Sequence, residues 1–316
     1  MVAEGMRFKI AMALYWNVVY VICFFSPLLI LLAGFLKPQV AISSLGAYVL
    51  YTRVMTRPDL KDGAPWRFFS QREWGYHAFR RYLRLRLHVS PKLRAKAAKE
   101  QVVIGVHPHG IASDYRVLMD GMLYEALPDR EVLTLSASVL FCLPILRELA
   151  IWTRCIDARK SVAVRAMKQG HSLLVIPGGE HEQIRTRKGE EEVFLAKRMG
   201  FVKLALQAGA ALVPSYVFGV VDLYETSDLF HSAREWLRKR YGVCIPVYWG
   251  AVAFLPKRVP VELVLGEPLQ VTCAKPGEPT DEEVSAAHAA YVTALQKLFE
   301  ENKAKFGYAD RKLTVL

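Results

Sequence analysis

The first third of the chain is dominated by one long apolar stretch. From Ile10 to Leu36, "IAMALYWNVVYVICFFSPLLILLAGFL" carries no charged residue, and a second, shorter run, "VAISSLGAYVLY", follows from Val40 to Tyr51. About 20 apolar residues suffice to cross a bilayer core as a helix, so the first run is long enough. Pro27 in its middle predicts a kink. The run is too long for a signal-peptide core, and no small-residue cleavage site follows it. Two arrangements fit: two tilted crossings, or a bent hairpin that returns to its starting face, which the short second run favours. Arg7 and Lys9 precede the element and Arg53 and Arg57 follow it, which places both ends on the cytosolic side. The alternative is a buried helix of a soluble protein.

Residues 66–87, "WRFFSQREWGYHAFRRYLRLRL", alternate arginines with aromatic and aliphatic residues. Tyr76, Phe79, Leu83 and Leu87 fall on one helical face, which predicts a basic amphipathic helix at the headgroup boundary or a surface helix packed on the core. After Lys99 the period changes. Short β-branched runs at 102–106, 132–135, 173–176, 211–218 and 261–265 read as strands. Helical patterns lie between them at 161–169, closed by Gly170, and at 198–207, closed by Gly209. Such alternation predicts an α/β sheet covered by helices. Thr280 and Glu283 form a capping box ahead of a stripe of Val284, Ala287, Tyr291, Leu295, Leu298 and Phe299. The chain thus divides into a membrane anchor (1–57), a basic amphipathic segment (58–99) and an α/β domain (100–316).

Charge and cysteine content narrow the partners. The formal net charge is +12, which suits an anionic membrane or a phosphate-bearing substrate. Nucleic acid is not expected, because zinc-finger spacing, a basic heptad region and RNP-type strands are all missing. Five scattered cysteines without a C-x-x-C pair point to reduced thiols facing the cytosol.

The candidate chemistry lies in two strand-end stretches. "HPHGIASD" (107–114) follows the strand 102–106, with Pro108 and Gly110 turning the chain into a helix near Ile111. His109 and Asp114 would then meet across the turn, the carboxylate fixing the imidazole tautomer while His109 removes a proton from a hydroxyl. No G-x-S-x-G elbow is present to supply a covalent intermediate. "LLVIPGGEHEQ" (173–183) runs into Gly178 and Gly179, whose unhindered backbone could face a developing oxyanion, with Glu182 beside them. A metal reading would join His107 and His109 to His181 and Glu182. No H-E-x-x-H or Cys-His set accompanies them, so no metal is expected.

Together with "ARKS" (158–161), "GFVKLALQAGAALVPSYVFG" (200–219), "GEPL" (266–269) and the closing 279–307 segment, these motifs resemble the type-2 diacylglycerol acyltransferases and their monoacylglycerol and wax-alcohol relatives. The resemblance implies a glycerolipid-acyltransferase-like α/β fold with an N-terminal transmembrane or hairpin anchor. It implies transfer of a fatty acyl group from acyl-CoA, as co-substrate with no bound cofactor, to a lipid hydroxyl such as that of diacylglycerol. It places the enzyme at the endoplasmic reticulum or lipid-droplet surface, in contact with membrane lipid, with its catalytic domain toward the cytosol, and allows a homo-oligomer. His109 matches the family's base, His107 its support and Glu182 the acidic position. Asp114 resembles the His-x4-Asp partner of the wider glycerolipid acyltransferases, although many of the closer family lack it. Arg159, Arg198 and Lys203 lie in family-like segments where they could meet CoA phosphates. "YLRLRLHVSP" lacks the Tyr-Phe-Pro signature of relatives, and "FGVVD" (218–222) replaces their Phe-Gly-Glu. These departures leave monoacylglycerol, a long-chain alcohol or a sterol as alternative acceptors. A non-catalytic lipid-binding membrane protein and, more remotely, a soluble metallohydrolase are the readings from other classes.

Overall fold

A computed structural model describes residues 2–242 and 244–316, without the side chains of residues 2–6, 24, 27 and 31. The strands, in chain order, are β1 (Arg86–Val89), β2 (Val102–His107), β3 (Val132–Ser136), β4 (Cys155–Asp157), β5 (Ser172–Val175) and β6 (Glu191–Val193). They continue with β7 (Ala211–Phe218), β8 (Glu225–Ser227), β9 (Val247–Trp249), β10 (Glu262–Leu265) and β11 (Leu313–Val315). The helices begin with α1 (Val2–Leu36), α2 (Pro38–Leu50), α3 (Arg67–Arg72), α4 (Trp74–Tyr82), α5 (Pro91–Lys99) and α6 (Asp114–Ala126). Then come α7 (Leu146–Trp152), α8 (Lys160–Lys168), α9 (Gly179–Arg185), α10 (Gly200–Ala208), α11 (His231–Tyr241) and α12 (Asp281–Lys303).

Seven strands build the main sheet in the order β1-β10-β7-β2-β5-β3-β4. All neighbours are parallel except β10 against β7. The central strands are apolar on both faces because both are covered. Along β2, Val102, Ile104 and Val106 join the core beneath α4 and α6, while Val103 joins the core shared with α8, α10 and α12. Parallel pairing places the C-terminal ends of β2, β5, β3 and β4 along one edge. In open α/β sheets that edge is where ligand crevices form, and it holds both motif loops.

The expected α/β sheet is present, and β7 coincides with the predicted 211–218 strand. Thr280 and Glu283 cap α12 reciprocally, and Gly209 closes α10 in the left-handed region at φ 63°. The 66–87 segment differs from expectation. It breaks into α3, α4 and β1, and Tyr76, Phe79 and Leu83 are 3%, 1% and 0% exposed. Its apolar face packs inward because α6 lies across it, with the Tyr76 hydroxyl donating to the Val117 carbonyl at 2.6 Å.

Nor is α1 a separate layer. Met12 is fully buried, and Trp16 stacks on Phe79 with ring centroids 3.9 Å apart. Beyond that packing it presents Leu28, Leu32, Phe35 and Leu36 outward. Among the described residues, no single helix is long and apolar enough to cross a membrane. The two parts of α1, Arg7–Cys23 and Leu28–Leu36, pass that test together across a bend of 73°. Pro27, expected to kink the run, falls between those parts, and its side chain lies outside the described residues.

Candidate active site

The loop after β2 is folded tightly by its own polar groups. Gly110 at φ 67° and Ser113 at φ 52° reverse the chain before α6. A Cβ on Gly110 would come within 2.7 Å of Val220 Cγ2, so glycine is required there for space as well as for conformation. The turn brings the Gly110 carbonyl to 2.8 Å from His109 Nδ1, with Ser113 Oγ 3.0 Å from the same nitrogen. A carbonyl oxygen only accepts, so Nδ1 carries the proton and donates it. Ser113 Oγ–H in turn donates to the His109 carbonyl at 2.9 Å. This tautomer leaves Nε2 with its lone pair, and no described residue hydrogen-bonds to it. Burial holds the His109 pKa below its ordinary value, against the opposing pull of the Gly110 carbonyl and Glu182. The ring is therefore neutral near physiological pH, in the form a general base needs.

Glu182 ties three segments together. Its carboxylate is 4% exposed and accepts the His109 N–H at 2.6 Å and the Phe194 N–H at 2.8 Å. Gly178 makes room for it: a Cβ there would lie 1.9 Å from Glu182 Cδ. Gly178 thus serves as clearance for the carboxylate that braces the histidine loop, while Gly179 is held in the left-handed region at φ 51°. In the first turn of α9, which begins at Gly179, the His181 N–H bonds to the Gly178 carbonyl at 3.3 Å, while the Gly179 and Glu180 N–H groups have no intrahelical partner. They lie in the same neighbourhood as His109.

His107 sits beneath this surface, fully buried. The Tyr291 hydroxyl donates to the Gly105 carbonyl at 2.9 Å and so accepts from His107 Nε2–H at 3.1 Å. His107 Nδ1 is left without a hydrogen-bond partner, 3.9 Å from Glu182 Oε1. Gly105 is required at this point, because a Cβ would fall 2.1 Å from the Tyr291 oxygen. His107 is therefore a support beneath the loop and offers no ring nitrogen at its surface. The Tyr115 hydroxyl adds a further tie, to the Pro108 carbonyl at 3.2 Å.

Asp114 departs from expectation. No hydrogen bond or ion pair joins it to His109. Ser113, in the left-handed region, directs Asp114 to the other side of the turn, where its Oδ2 accepts from the buried Tyr224 hydroxyl. Burial raises its carboxyl pKa to about 6, against the lowering effect of Tyr224. A carboxyl so placed is a poor partner for an imidazolium, and the orienting contact comes from Gly110 and Ser113 instead.

The remaining candidates separate. Arg198 lies beside the site, over the Phe194 ring at 5.4 Å and 4.0 Å from Glu180. Arg159 is committed to Asp157, donating through its backbone N–H and guanidinium at 2.9 Å each. Lys203 faces Asp281 in the first turn of α12 at 3.5 Å. His181 stacks on Phe194 with centroids 4.5 Å apart, and its Nε2 accepts from Arg238 at 2.9 Å. The three histidines of the metal reading thus have three different surroundings, and among the described residues no cluster of His, Cys, Asp or Glu could hold an ion. Sequence reasoning missed Ser113, Phe194 and Tyr224 and took Tyr291 as mere stripe. Only the hydroxyl of Tyr291, inside an otherwise apolar face, signalled a polar task.

The end of β2 thus carries an Nδ1-tethered histidine whose backbone N–H is held by Glu182. Residues 33–316 match the family model for diacylglycerol acyltransferase. The chain is 30% identical over 256 residues to "Diacylglycerol O-acyltransferase 1" of Schizosaccharomyces pombe, covering 73% of this chain and 70% of that protein. It is 34% identical over 227 residues to human "2-acylglycerol O-acyltransferase 3", covering 65% of each. It spans 59% of "Diacylglycerol O-acyltransferase 1" of Eremothecium gossypii, at 30% identity over 82% of this chain. Among solved structures, the lysophosphatidic acid acyltransferase PlsC from Thermotoga maritima aligns over 93% of this chain and 96% of its own, at 18% identity and a TM-score of 0.46. The chain belongs to the diacylglycerol acyltransferase family.

Proposed function

We propose that the chain is a membrane-bound acyl-CoA:diacylglycerol O-acyltransferase that forms triacylglycerol. The observation that carries this reading is the single lone pair at His109 Nε2, fixed by the Nδ1 contact to the Gly110 carbonyl. His109 takes the proton of the lipid hydroxyl as that oxygen attacks the thioester carbonyl. The tetrahedral oxyanion is met by backbone N–H groups around Gly178 and Gly179. Collapse breaks the carbon–sulfur bond, the ester is released, and the imidazolium returns its proton to the CoA thiolate. Glu182 and His107 position the histidine. Arg198 is the candidate for CoA phosphate; Arg159 and Lys203, engaged as they are, have weaker claims. Acyl-CoA enters as co-substrate, with no resident cofactor.

Attachment through the bent α1 and through α2 fits a neutral-lipid acceptor that never leaves the bilayer, and the family expectation of an endoplasmic reticulum or lipid-droplet membrane follows from it. The test is to feed membranes carrying the chain with labelled oleoyl-CoA and, separately, diacylglycerol, monoacylglycerol, a long-chain alcohol and a sterol, and to resolve every labelled ester. Triacylglycerol as the main product supports the proposal. A different ester would move the acceptor. Absence of CoA release on all four would favour a lipid-binding protein without catalysis.

A further inference from the structure

The geometry points to a second bilayer contact beside α1, formed by the segment from Phe230 to Phe254. This deepens the membrane reading above and rests on it. In this segment α11 and the turn after β9 expose Phe230 (73%), Trp236 (58%), Tyr241 (62%), Ile245 (49%), Trp249 (47%) and Val252 (57%). Scattered single apolar residues on a surface need no explanation, whereas a grouped set does.

The turn is anchored to α1 by its backbone. Gly250 N–H donates to the Ala253 carbonyl, and Ala251 and Leu255 N–H donate to the Leu255 and Val252 carbonyls, all within 2.7–3.0 Å. At its base the turn is also tied to α1. Asn17 donates to the Val252 carbonyl at 3.1 Å and accepts from Phe254 N–H at 2.9 Å, while the Trp16 indole donates to the Phe254 carbonyl at 2.8 Å. Asn17 is a lone amide in an apolar run, and this is its use. This pairing fixes the turn against α1, so that Val252 is presented on the same side as the outward apolar residues of the helix. Tyr20 stacks on Phe254 at 4.3 Å and bonds the Tyr248 hydroxyl, so the turn continues the outward apolar surface of α1.

The flank of α11 suits a headgroup layer. Arg240 stands exposed over the Tyr241 ring at 5.4 Å, and exposed Lys239 lies 3.6 Å from Glu235, which Arg238 also engages. Exposed Trp and Tyr beside exposed cations match the interface of an anionic leaflet. The turn at Val252 therefore meets the headgroup–acyl boundary beside α1, and α11 lies along the headgroups. Through Arg238 and His181, α11 also bears on the loop that holds Glu182, which sets the candidate site at the membrane surface.

The test uses the full chain in nanodiscs of phosphatidylcholine and phosphatidylserine, with Cys142, Cys244 and Cys273 changed to serine. Single cysteines are introduced as Val252→Cys, Tyr241→Cys, Leu32→Cys on α1, and Lys297→Cys on exposed α12, and each is labelled with an environment-sensitive fluorophore. Lipids carrying a nitroxide at a shallow or a deep acyl position report depth. The expected result is blue-shifted, quenched emission at positions 252 and 241, deeper at 252, with Leu32→Cys quenched and Lys297→Cys unaffected. Quenching at position 32 alone overturns this proposal and leaves the α1 attachment standing. Quenching at none of the four removes both. Shielding at 252 and 241 without quenching by any lipid overturns it in favour of a protein surface covering the patch.

Discussion

Gly178→Ala and Glu182→Gln should damage the protein in the same way, although one adds a methyl group and the other changes a single atom of a carboxylate. Glu182 accepts two backbone N–H groups, from His109 and Phe194. In the glutamine variant one of those donors faces an amide NH2 and is left buried and unpaired, which costs about 1.5–3 kcal/mol for a bond to a charged acceptor. Both donors belong to the segments that Glu182 holds around His109, so the loss loosens the loop that carries the proposed base. Expressed at the transition state it corresponds to a decrease on the order of ten- to a hundredfold in kcat/KM. In Gly178→Ala the new Cβ would overlap the Glu182 carboxyl at 1.9 Å, so the carboxylate must leave and both N–H groups lose their acceptor. The double variant should then be little worse than Gly178→Ala alone, a strong departure from additivity. The assay is CoA release with purified variants, together with thermal melts that show how much of the loss is global. Additive losses, or wild-type activity in Glu182→Gln, would refute the bracing role.

Asp114→Asn should keep most of the activity and stabilise the protein at neutral pH, since the carboxyl pKa rises from 3.8 to about 6 on folding. The folded state holds the proton more tightly, so native stability falls as pH rises from about 4 to 6, and the gap corresponds to up to about 3 kcal/mol; melts of both proteins at pH 4 and pH 7.5 should converge at the lower value. His109 carries a lowered pKa, so activity should be lost only as pH falls through a value below the usual 6.5 of histidine, and an acidic limb at or above 6.5 would contradict its burial. Tyr291→Phe leaves the Gly105 carbonyl and His107 Nε2 unpaired, at a cost of about 1–3 kcal/mol, read as a drop in melting temperature; Gly105→Ala should be worse, because the tyrosine ring would have to move.

Period and turn chemistry made most of the sheet legible. The runs at 102–106 and 211–218 are apolar at all but Ser215 because both faces of the strand are covered, and Gly209 and Thr280 mark helix ends by local rules that tertiary packing did not override. β1 and β4 were illegible: β1 is a four-residue edge strand, Arg-Leu-His-Val, that continues the arginine–leucine run before it, and β4 is too brief to carry a pattern. The 66–87 stripe was read correctly as one-sided, but periodicity cannot say whether that side meets lipid or protein, and here α6 and α1 cover it. At the site, the strand-end histidine and the glycine–glutamate pair were visible in sequence. The pairing of His109 with Asp114 was not obtained, because spacing measures separation along the chain and Ser113 turns the backbone through a left-handed conformation. Tyr291 and Phe194 reach the site from distant segments, and no local signal could place them there.

The central claim is that His109 Nε2 is the base, and the direct measurement compares CoA release and labelled triacylglycerol formation by wild type and His109→Ala, purified and matched for folding by thermal melt. The structure predicts a folded variant with no acyl transfer. Wild-type rates from a folded His109→Ala protein would contradict it.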